Sequence, residues 1–248
     1  MIRFVVGLVL LALSAGLHAG GLDGDAKALE RVEAMLVTIG GREVWAKARS
    51  LYTVERARHP AYGDGIEASF WRNLEEPGEY AHLIHTELDV NYGWNTEGGW
   101  ISRNGELRDF TKDEMTERRF YWDREVYTLY HQLAKGERKL TVRSVEPNGF
   151  YVLDDKGEKI GIFRLTADGD LYLWEQIGGD DPVAYVYGPH KDFGRVSFPD
   201  WGTATDGGWG FYYIQVRPSP KHFSANVDIA KPVKEWSGGA IRREKWRE

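Results

Sequence analysis

From about residue 51 the spacing of apolar residues changes from that of a helix to that of a strand, and this change constrains the fold more than any other feature. In 66–71, Ile66, Ala68 and Phe70 alternate with more polar or larger neighbours, which places two sets of side chains on opposite faces of a strand. About ten or eleven such short segments follow, separated by turns rich in Gly, Asp, Asn and Pro. We therefore expect a large sheet in which sequence neighbours pair antiparallel.

The composition is typical of a strand-rich domain that folds without disulfide bonds. The 248 residues include 10 Trp, 13 Tyr and 10 Phe, and aromatic rings are favoured on the pleated surface of strands. The chain contains no cysteine, so an ordinary apolar core must stabilise it. The formal net charge of −6 argues against a nucleic acid as partner, because phosphate binding requires a basic surface.

The first 19 residues predict export. Arg3 precedes an apolar run over 4–13 and then small residues up to Ala19, which is the order of a secretory signal peptide. The run is too short to cross a bilayer core of about 30 Å, and no cysteine follows it, so the leader does not belong to a lipoprotein. We expect a periplasmic protein with a signal peptide at 1–19, a single domain at 20–232 and a charged tail at 233–248, and with no transmembrane span after cleavage.

Two helical regions are predicted. The first is capped by Asp23 or Asp25 and ends at Gly40-Gly41, and a short helical piece over 43–50 follows it. The second is predicted as one long helix over 111–135, where Thr111 and Glu114 form a capping box. Its apolar stripe comprises Met115, Trp122, Val126, Leu129 and Leu133. Its opposite face, which we expect to be solvated, comprises Glu117, Arg118, Arg124 and Glu125.

The second half of the chain returns to strands. The alternation predicts one strand over 193–198, another over 209–216 and a last one over 223–229. Between the first two, the acidic and glycine-rich segment 201–209 is predicted as a loop. No linker rich in Pro and Ser divides the chain, which indicates one domain.

The region from about 25 to 230 resembles the outer-membrane lipoprotein carrier and sorting superfamily, the LolA/LolB-like proteins. The resemblance lies in the opening helix that ends in Gly40-Gly41, in Val44-Trp45 and in Leu51 at the start of the first strand. It continues in the hairpin that contains Trp94, Gly99 and Trp100, and in the run over 186–199. The loop at 201–209 matches no functional feature of the family.

The resemblance implies an α+β fold that is mainly β. It implies a half-barrel, in which a curved, unclosed antiparallel sheet of about eleven strands is covered by the N-terminal helix and one long inserted helix. It also implies that the concave face holds acyl chains. Because the cysteine of anchored members is absent, the chain resembles the soluble carrier branch.

No residue pattern predicts catalysis or a metal centre. His82 and His85 are three residues apart in a predicted strand, so they point to opposite faces and cannot chelate one metal. The acidic pairs at 154–155 and 180–181 fall in turns, and the chain has neither a Gly-x-Ser-x-Gly elbow nor a cysteine nucleophile. We expect no catalytic residue, no metal and no cofactor, and we interpret the chain as a binding protein rather than an enzyme.

The aromatic residues provide the main functional indication. Large rings between a sheet and its helices either fill the core or line a cleft that is partly open to an apolar ligand. The residues predicted to line such a hydrophobic cleft are Trp71, Trp94, Trp100, Met115, Trp122, Val126, Leu129, Tyr172 and Trp174.

Three functions remain open at the level of sequence. The first is a monomeric periplasmic protein that binds a lipid or lipoprotein acyl chains in this cleft, serves envelope lipid or lipoprotein transport and meets an envelope protein as partner. The second is a secreted carbohydrate-active hydrolase or sugar-binding protein, since Trp rings also stack on sugars. The third is an envelope scaffold whose partner docks on an exposed sheet edge.

Overall fold

The strands associate into one large sheet in the computed structural model, which describes residues 22–179 and 182–221. The predicted signal peptide at 1–19, the acidic turn at 180–181, the predicted strand at 223–229 and the tail at 233–248 lie outside the described residues. The strands are β1 (Asp23–Gly24), β2 (Ser50–His59), β3 (Gly63–Asn73), β4 (Glu79–His85), β5 (Leu88–Trp94), β6 (Gly99–Arg103), β7 (Glu106–Asp109), β8 (Thr141–Val145), β9 (Gly149–Leu153), β10 (Lys159–Leu165), β11 (Leu171–Gln176), β12 (Ala184–Tyr187), β13 (His190–Asp192), β14 (Ser197–Pro199), β15 (Trp201–Ala204) and β16 (Gly210–Ser219). The helices are α1 (Ala26–Thr38), α2 (Arg42–Lys47), α3 (Lys112–Trp122) and α4 (Val126–Lys135).

The main sheet has 14 strands in the order β1-β8-β9-β10-β11-β12-β15-β16-β2-β3-β4-β5-β6-β7. Its strands pair antiparallel except for β1, which pairs parallel with β8. The sheet is curved, and among the described residues its end strands β1 and β7 do not pair with each other, so it is unclosed there. The predicted mainly β half-barrel with helices is therefore confirmed, with more strands than the expected eleven.

The helices pack on one face of the sheet, which we call the inner face. Helix α1 begins at Asp25, whose carboxylate accepts a hydrogen bond from the Ala28 N–H at 2.9 Å. Trp45 of α2 is fully buried, and its indole N–H donates to the Ile39 carbonyl at 3.0 Å. His131 of α4 hydrogen-bonds the Trp45 carbonyl at 2.9 Å, so α2 and α4 are joined. None of the helices in the described ranges is long and apolar enough to cross a bilayer.

The predicted long helix over 111–135 is wrong in one respect, because it is two helices. The capping box is present, since the Glu114 N–H donates to the Thr111 hydroxyl at 3.2 Å and the Glu114 carboxylate accepts from the Thr111 N–H at 2.8 Å. The helix breaks between Trp122 and Val126, where Glu125 has an extended backbone with φ −67° and ψ 139°. No Gly or Pro marks this break, so the local sequence contains no signal for it.

The predicted loop over 201–209 is also wrong. Trp201–Ala204 forms β15, which pairs with β12 on one side and with β16 on the other. Only the acidic and glycine-rich residues 205–208 form the turn of this hairpin. The predicted strand over 193–198 is replaced by the separate hairpin of β13 and β14, with a turn that includes Gly194 at φ 78°.

A candidate ligand cleft between the sheet and helices α3 and α4

A cleft of about 430 Å³ lies between the inner face of the sheet and the α3–α4 region. Most of the residues that line it carry aromatic rings or aliphatic chains, and five carry a charge. The lining residues are Glu55, Phe70, Arg72, Glu79, Leu83, Tyr92, Trp94, Arg118, Tyr121, Trp122, Glu125, Val126, Tyr127, Trp174, Gln176, Val183, Tyr185, Tyr187, Trp209 and Phe211.

Strand alternation delivers most of these side chains to the same face. Residues two apart in a strand share a face, so Phe70 and Arg72 of β3 both reach the cleft, as do Tyr92 and Trp94 of β5. From the other wall, Trp122 closes the end of α3 and donates its indole N–H to the Asn73 carbonyl at 2.8 Å. This bond fixes the end of α3 on β3.

A second hollow of about 290 Å³ adjoins the cleft. The two share Leu83, Tyr92, Arg118 and Trp209 in their linings. The second hollow has a larger aliphatic share, and its remaining lining residues are His59, Tyr62, Leu88, Val90, Ile101 and Arg103. A ligand longer than the cleft can therefore extend into an apolar neighbour.

The floor of the cleft holds a cluster of three carboxylates around one guanidinium, which we call the Arg72 cluster. The Arg72 Nε–H donates to Glu125 Oε1 at 2.8 Å, and the same nitrogen forms an ion pair with Glu79 Oε2 at 3.0 Å. The Arg72 Nη1–H donates to the Thr53 hydroxyl at 2.9 Å, and that hydroxyl donates to Glu55 Oε1 at 3.3 Å. Glu55 is only 3% exposed and Arg72 only 7%.

Rings surround the Arg72 cluster and complete its hydrogen bonding. The Tyr92 hydroxyl donates to Glu79 Oε1 at 2.7 Å, and the Trp209 ring lines the cleft together with Glu55. The Arg72 guanidinium lies 4.3 Å from the centre of the Phe70 ring. Such cation–π contacts gain strength where water is excluded.

Burial shifts the pKa values of the charged side chains in the Arg72 cluster. It raises the pKa of Glu55 to about 7, even though Arg72 acts in the opposite direction. Burial likewise raises the pKa of Glu125 to about 7, although its side chain keeps a quarter of its surface exposed. Burial alone would lower the pKa of Arg72, but the carboxylates outweigh burial and hold that pKa well above its ordinary value. One fixed cation therefore faces two carboxyl groups that titrate near neutral pH.

Three buried N–H donors on the cleft wall have no hydrogen-bond partner in the described part of the chain. They are Trp94 Nε1, Trp174 Nε1 and Gln176 Nε2, in residues that are 4%, 4% and 6% exposed. A buried donor without a partner costs about 1–3 kcal/mol, and such groups normally find one.

Of the nine residues predicted for the cleft, four line it: Trp94, Trp122, Val126 and Trp174. Met115 packs behind Trp94 and Trp122, and Leu129 is fully buried in the main core. Tyr172 is half-buried and does not line the cleft. Whether the four lining residues bind a ligand stays a prediction.

Trp71 and Trp100 do not line the cleft, and their placement there was wrong. Trp71 lies between Phe70 and Arg72, so alternation turns it to the outer face. There its ring centre lies 5.3 Å from that of Tyr80, which in turn lies 6.2 Å from that of Trp100. An aromatic residue in a strand indicates a packed face without indicating which one.

The sequence analysis missed the Arg72 cluster. Glu55 shares its strand face with Leu51, Thr53 and Ala57, and Arg72 shares its face with Phe70. Charged residues in the apolar phase of an alternating strand are the signal that would have found them. The prediction that Arg118 and Glu125 are solvated is also wrong, because both line the cleft.

Among the described residues, no group of three or more His, Cys, Asp or Glu is arranged to hold a metal ion. The carboxylates of the cleft instead surround a guanidinium. The chemistry available in the cleft is thus that of acceptor oxygens, N–H donors and ring faces.

No protein-family model matches the chain, and no curated protein matches it. A solved structure of a DUF1329 family protein from Desulfovibrio piger is similar, with 7% sequence identity, a TM-score of 0.45 and coverage of 78% of this chain and 93% of that chain. Another, of a putative outer membrane lipoprotein-sorting protein domain from Vibrio parahaemolyticus, has 9% identity, a TM-score of 0.32 and coverage of 78% and 92%. The second of these structures is described by the lipoprotein-sorting class that the sequence resembles.

Proposed function

We propose that this protein is a non-enzymatic binding protein that holds a hydrophobic or amphiphilic ligand, a lipid or the acyl chains of a lipoprotein, in the cleft between the sheet and α3–α4. The observation that carries the proposal is the cleft of about 430 Å³ with its mainly apolar lining. Small-molecule sites have volumes of about 300–1,000 Å³ and combine apolar walls with a few polar groups.

The adjoining hollow supports a ligand with a long apolar part. Leu83 lies at the junction and contributes to both linings. Burial of apolar surface contributes about 25 cal/mol per Å², so a chain that occupies both hollows gains more than one confined to the cleft. In this proposal the protein receives its ligand in the periplasm, consistent with the predicted leader, and acts in envelope lipid or lipoprotein transport.

The test is the lipid content of the purified full-length protein. Organic-solvent extraction followed by mass spectrometry should recover a co-purifying lipid from the wild type. Leu83→Trp places a large ring at the junction of the two hollows and should reduce the recovered lipid several-fold. Ile84→Trp is the matched control, because Ile84 is the next residue of β4, is 43% exposed and does not line the cleft.

The comparison of the three proteins decides the outcome. Lipid retained by the wild type and by Ile84→Trp but not by Leu83→Trp supports the proposal. If no extract contains lipid, or if all three contain equal amounts, the cleft is not a lipid site. Circular dichroism confirms that each variant is folded.

A second candidate function, carbohydrate binding or hydrolysis, is favoured by Glu55, Glu79 and Glu125, which all face the cleft. Glycosidases use two carboxyl groups, and one of them has a raised pKa. Here Glu79 and Glu125 both pair with the same Arg72 nitrogen, which holds the two carboxylates in place. Release of reducing sugar from envelope polysaccharides, abolished in Glu55→Gln, would favour this function over the first.

A further inference from the structure

The second hollow differs from the cleft in the charge of its lining. Two guanidinium groups, those of Arg103 and Arg118, line it, and its described lining includes no carboxylate. The three carboxylates of the Arg72 cluster line the cleft but not the second hollow. The second hollow is therefore a largely apolar space with positive charge, beside a cleft in which the Arg72 guanidinium is already paired.

Arg118 is held in place by rings rather than by an ion pair. It is half-buried on α3, and its guanidinium lies 4.6 Å from the centre of the Tyr92 ring and 4.0 Å from that of Phe110. None of the ion pairs within residues 22–179 and 182–221 includes Arg118. Contact with ring faces does not consume the N–H groups of a guanidinium, so they can still bind an anion.

Arg103 provides the second cation. It is exposed at the end of β6, and its Nη2–H donates to the hydroxyl of Tyr62, which lines the same hollow. Glu106 faces Arg103 across the β6–β7 hairpin, but Arg103 forms no ion pair with it or with any other carboxylate of the described residues. A hydroxyl partner leaves the charge uncompensated, so both arginines favour an anion in the second hollow.

We propose that the ligand is an amphiphile with an anionic head group, a carboxylate or a phosphate, which Arg103 and Arg118 bind in the second hollow. This inference rests on the proposed function and specifies the class of its ligand. Guanidinium groups suit such a head group because their N–H groups donate in parallel pairs to the oxygens of carboxylates and phosphates. The acyl chain runs from this head group past Leu83 into the cleft.

The apolar residues provide a path for the chain. Leu88, Val90 and Ile101 line the second hollow together with the two arginines, and Leu83 lines both the hollow and the cleft. A chain that follows these residues stays in contact with apolar surface over its whole length.

Charge sets the direction in which the ligand lies. A head group placed in the cleft would meet three carboxyl groups around the single guanidinium of the Arg72 cluster, and these repel an anion whenever they are ionised. The anionic end therefore binds in the second hollow, and the apolar end points into the cleft.

The experiment compares four ligands that share one C10 chain and differ in the head group, each below its micelle concentration. Decanoate, decyl phosphate, 1-decanol and decyltrimethylammonium are titrated into the delipidated full-length protein at pH 8, and tryptophan fluorescence gives the affinities. Decanoate and decyl phosphate should bind about tenfold more tightly than 1-decanol, which offers the chain without the charge. Decyltrimethylammonium should bind most weakly, and the tighter of the two anions identifies the head group as carboxylate or phosphate.

Variants of the two arginines locate the head group. Arg103→Gln and Arg118→Gln should each lower the affinity for decanoate about tenfold and leave that for 1-decanol within about twofold. Arg119→Gln in α3 and Arg56→Gln in β2 are the matched controls and should change neither affinity, since both arginines are exposed and line neither space. Arg118→Lys keeps the charge and should recover most of the affinity that Arg118→Gln loses. Circular dichroism confirms that each variant is folded.

The outcomes separate this inference from the proposed function. Equal affinity for the four ligands, or tightest binding of 1-decanol or decyltrimethylammonium, overturns the inference and leaves a lipid-binding cleft. A preference for the anions that persists in both Arg103→Gln and Arg118→Gln also overturns it, because the head group then binds elsewhere. Failure of every ligand to bind overturns the inference and the proposed function together.

Discussion

At the scale of single residues, Glu55 and Arg72 occupy strand positions that normally hold apolar side chains. Both are more than nine-tenths buried. Burial of an ion pair is often no more stabilising than an apolar replacement, whereas an unpaired buried charge is strongly destabilising. The Arg72 cluster is therefore better explained by a role in binding than by a contribution to folding.

The first prediction concerns the pH dependence of stability. In the folded protein the pKa of Glu55 is about 7, above its ordinary value of 4.5, so the folded state retains a proton that the unfolded state releases. The free energy of unfolding should therefore fall as the pH rises from about 4.5 to about 7. Glu55→Gln cannot titrate, and relative to wild type it should gain up to about 3 kcal/mol over this range.

Urea unfolding at pH 5 and pH 8 measures this difference. The gain of Glu55→Gln over the wild type in free energy of unfolding should be larger at pH 8 than at pH 5. In both proteins Glu125 still titrates, so the free energy of unfolding keeps some dependence on pH. Glu30→Gln is the control and should follow the wild type at both values. Parallel pH profiles for Glu55→Gln and wild type would show that Glu55 is ionised throughout.

At the scale of elements, the interruption between α3 and α4 is what brings Glu125 to the cleft. The extended backbone at Glu125 directs its carboxylate to Arg72, and Trp122 anchors the preceding turn to Asn73 of β3. The apolar stripe over 111–135 is compatible with a continuous helix, because both helices present that stripe to the sheet. The break depends on partners about 50 residues away in the sequence.

The second prediction concerns the start of α3. Thr111→Ala removes the side-chain acceptor of the Glu114 N–H and should lower the free energy of unfolding by about 0.5–2 kcal/mol. Thr116→Ala is the matched control within the same helix, since Thr116 is exposed and alanine favours helix there. We expect Thr116→Ala to be neutral or slightly stabilising in chemical denaturation.

The lower stability of α3 in Thr111→Ala should also affect the cleft, because α3 supplies Arg118, Tyr121 and Trp122 to its wall. Thr111→Ala should lower the amount of lipid that co-purifies with the protein, whereas Thr116→Ala should leave it unchanged. Identical stability of the two variants would mean that the capping box does not stabilise α3.

At the scale of the whole molecule, the longest strands of the sheet lie beside the cleft. The long strands β2, β3 and β16 occupy the middle of the 14-strand order and pair on both sides, while β7 is an edge strand. Strands with partners on both sides open only in large unfolding events, and edge strands fray more easily. The central strands β2 and β3, which carry Glu55 and Arg72, therefore give the Arg72 cluster a rigid support.

The third prediction follows from this order. Native-state hydrogen exchange should be slowest at the amides of β2, β3 and β16 and several orders of magnitude faster in β7. A lipid bound in the cleft should slow exchange in 118–127 with little effect on β8 and β9, which lie far from the cleft in the strand order. Equally slow exchange in β7 and β2 would contradict this gradient.

Local patterning was sufficient for the class of fold and for much of its detail. Alternation in strands such as β3, the Thr111 capping box and the end of α4 at Gly136, whose φ is 67°, are each specified by residues close in sequence, because propensities and caps act over a few bonds. The same reasoning identified Trp94, Trp122, Val126 and Trp174 as residues of the inner space. Alternation alone does not show which face of a strand is the inner face, so the same reasoning also included Trp71 and Trp100.

Long-range contacts account for the features that the sequence did not predict. The break before α4, the central position of β15 and the Arg72–Glu125 pair arise from strands and helices that meet only after folding. Arg72 and Glu79 face each other across the β3–β4 hairpin, but no short window of sequence contains both Arg72 and Glu125. The raised pKa of Glu55 has the same origin, since it depends on burial of this side chain in the folded protein. A sequence therefore specifies which residues are available, and the packing of distant segments establishes which of them form the cleft and what charge it presents.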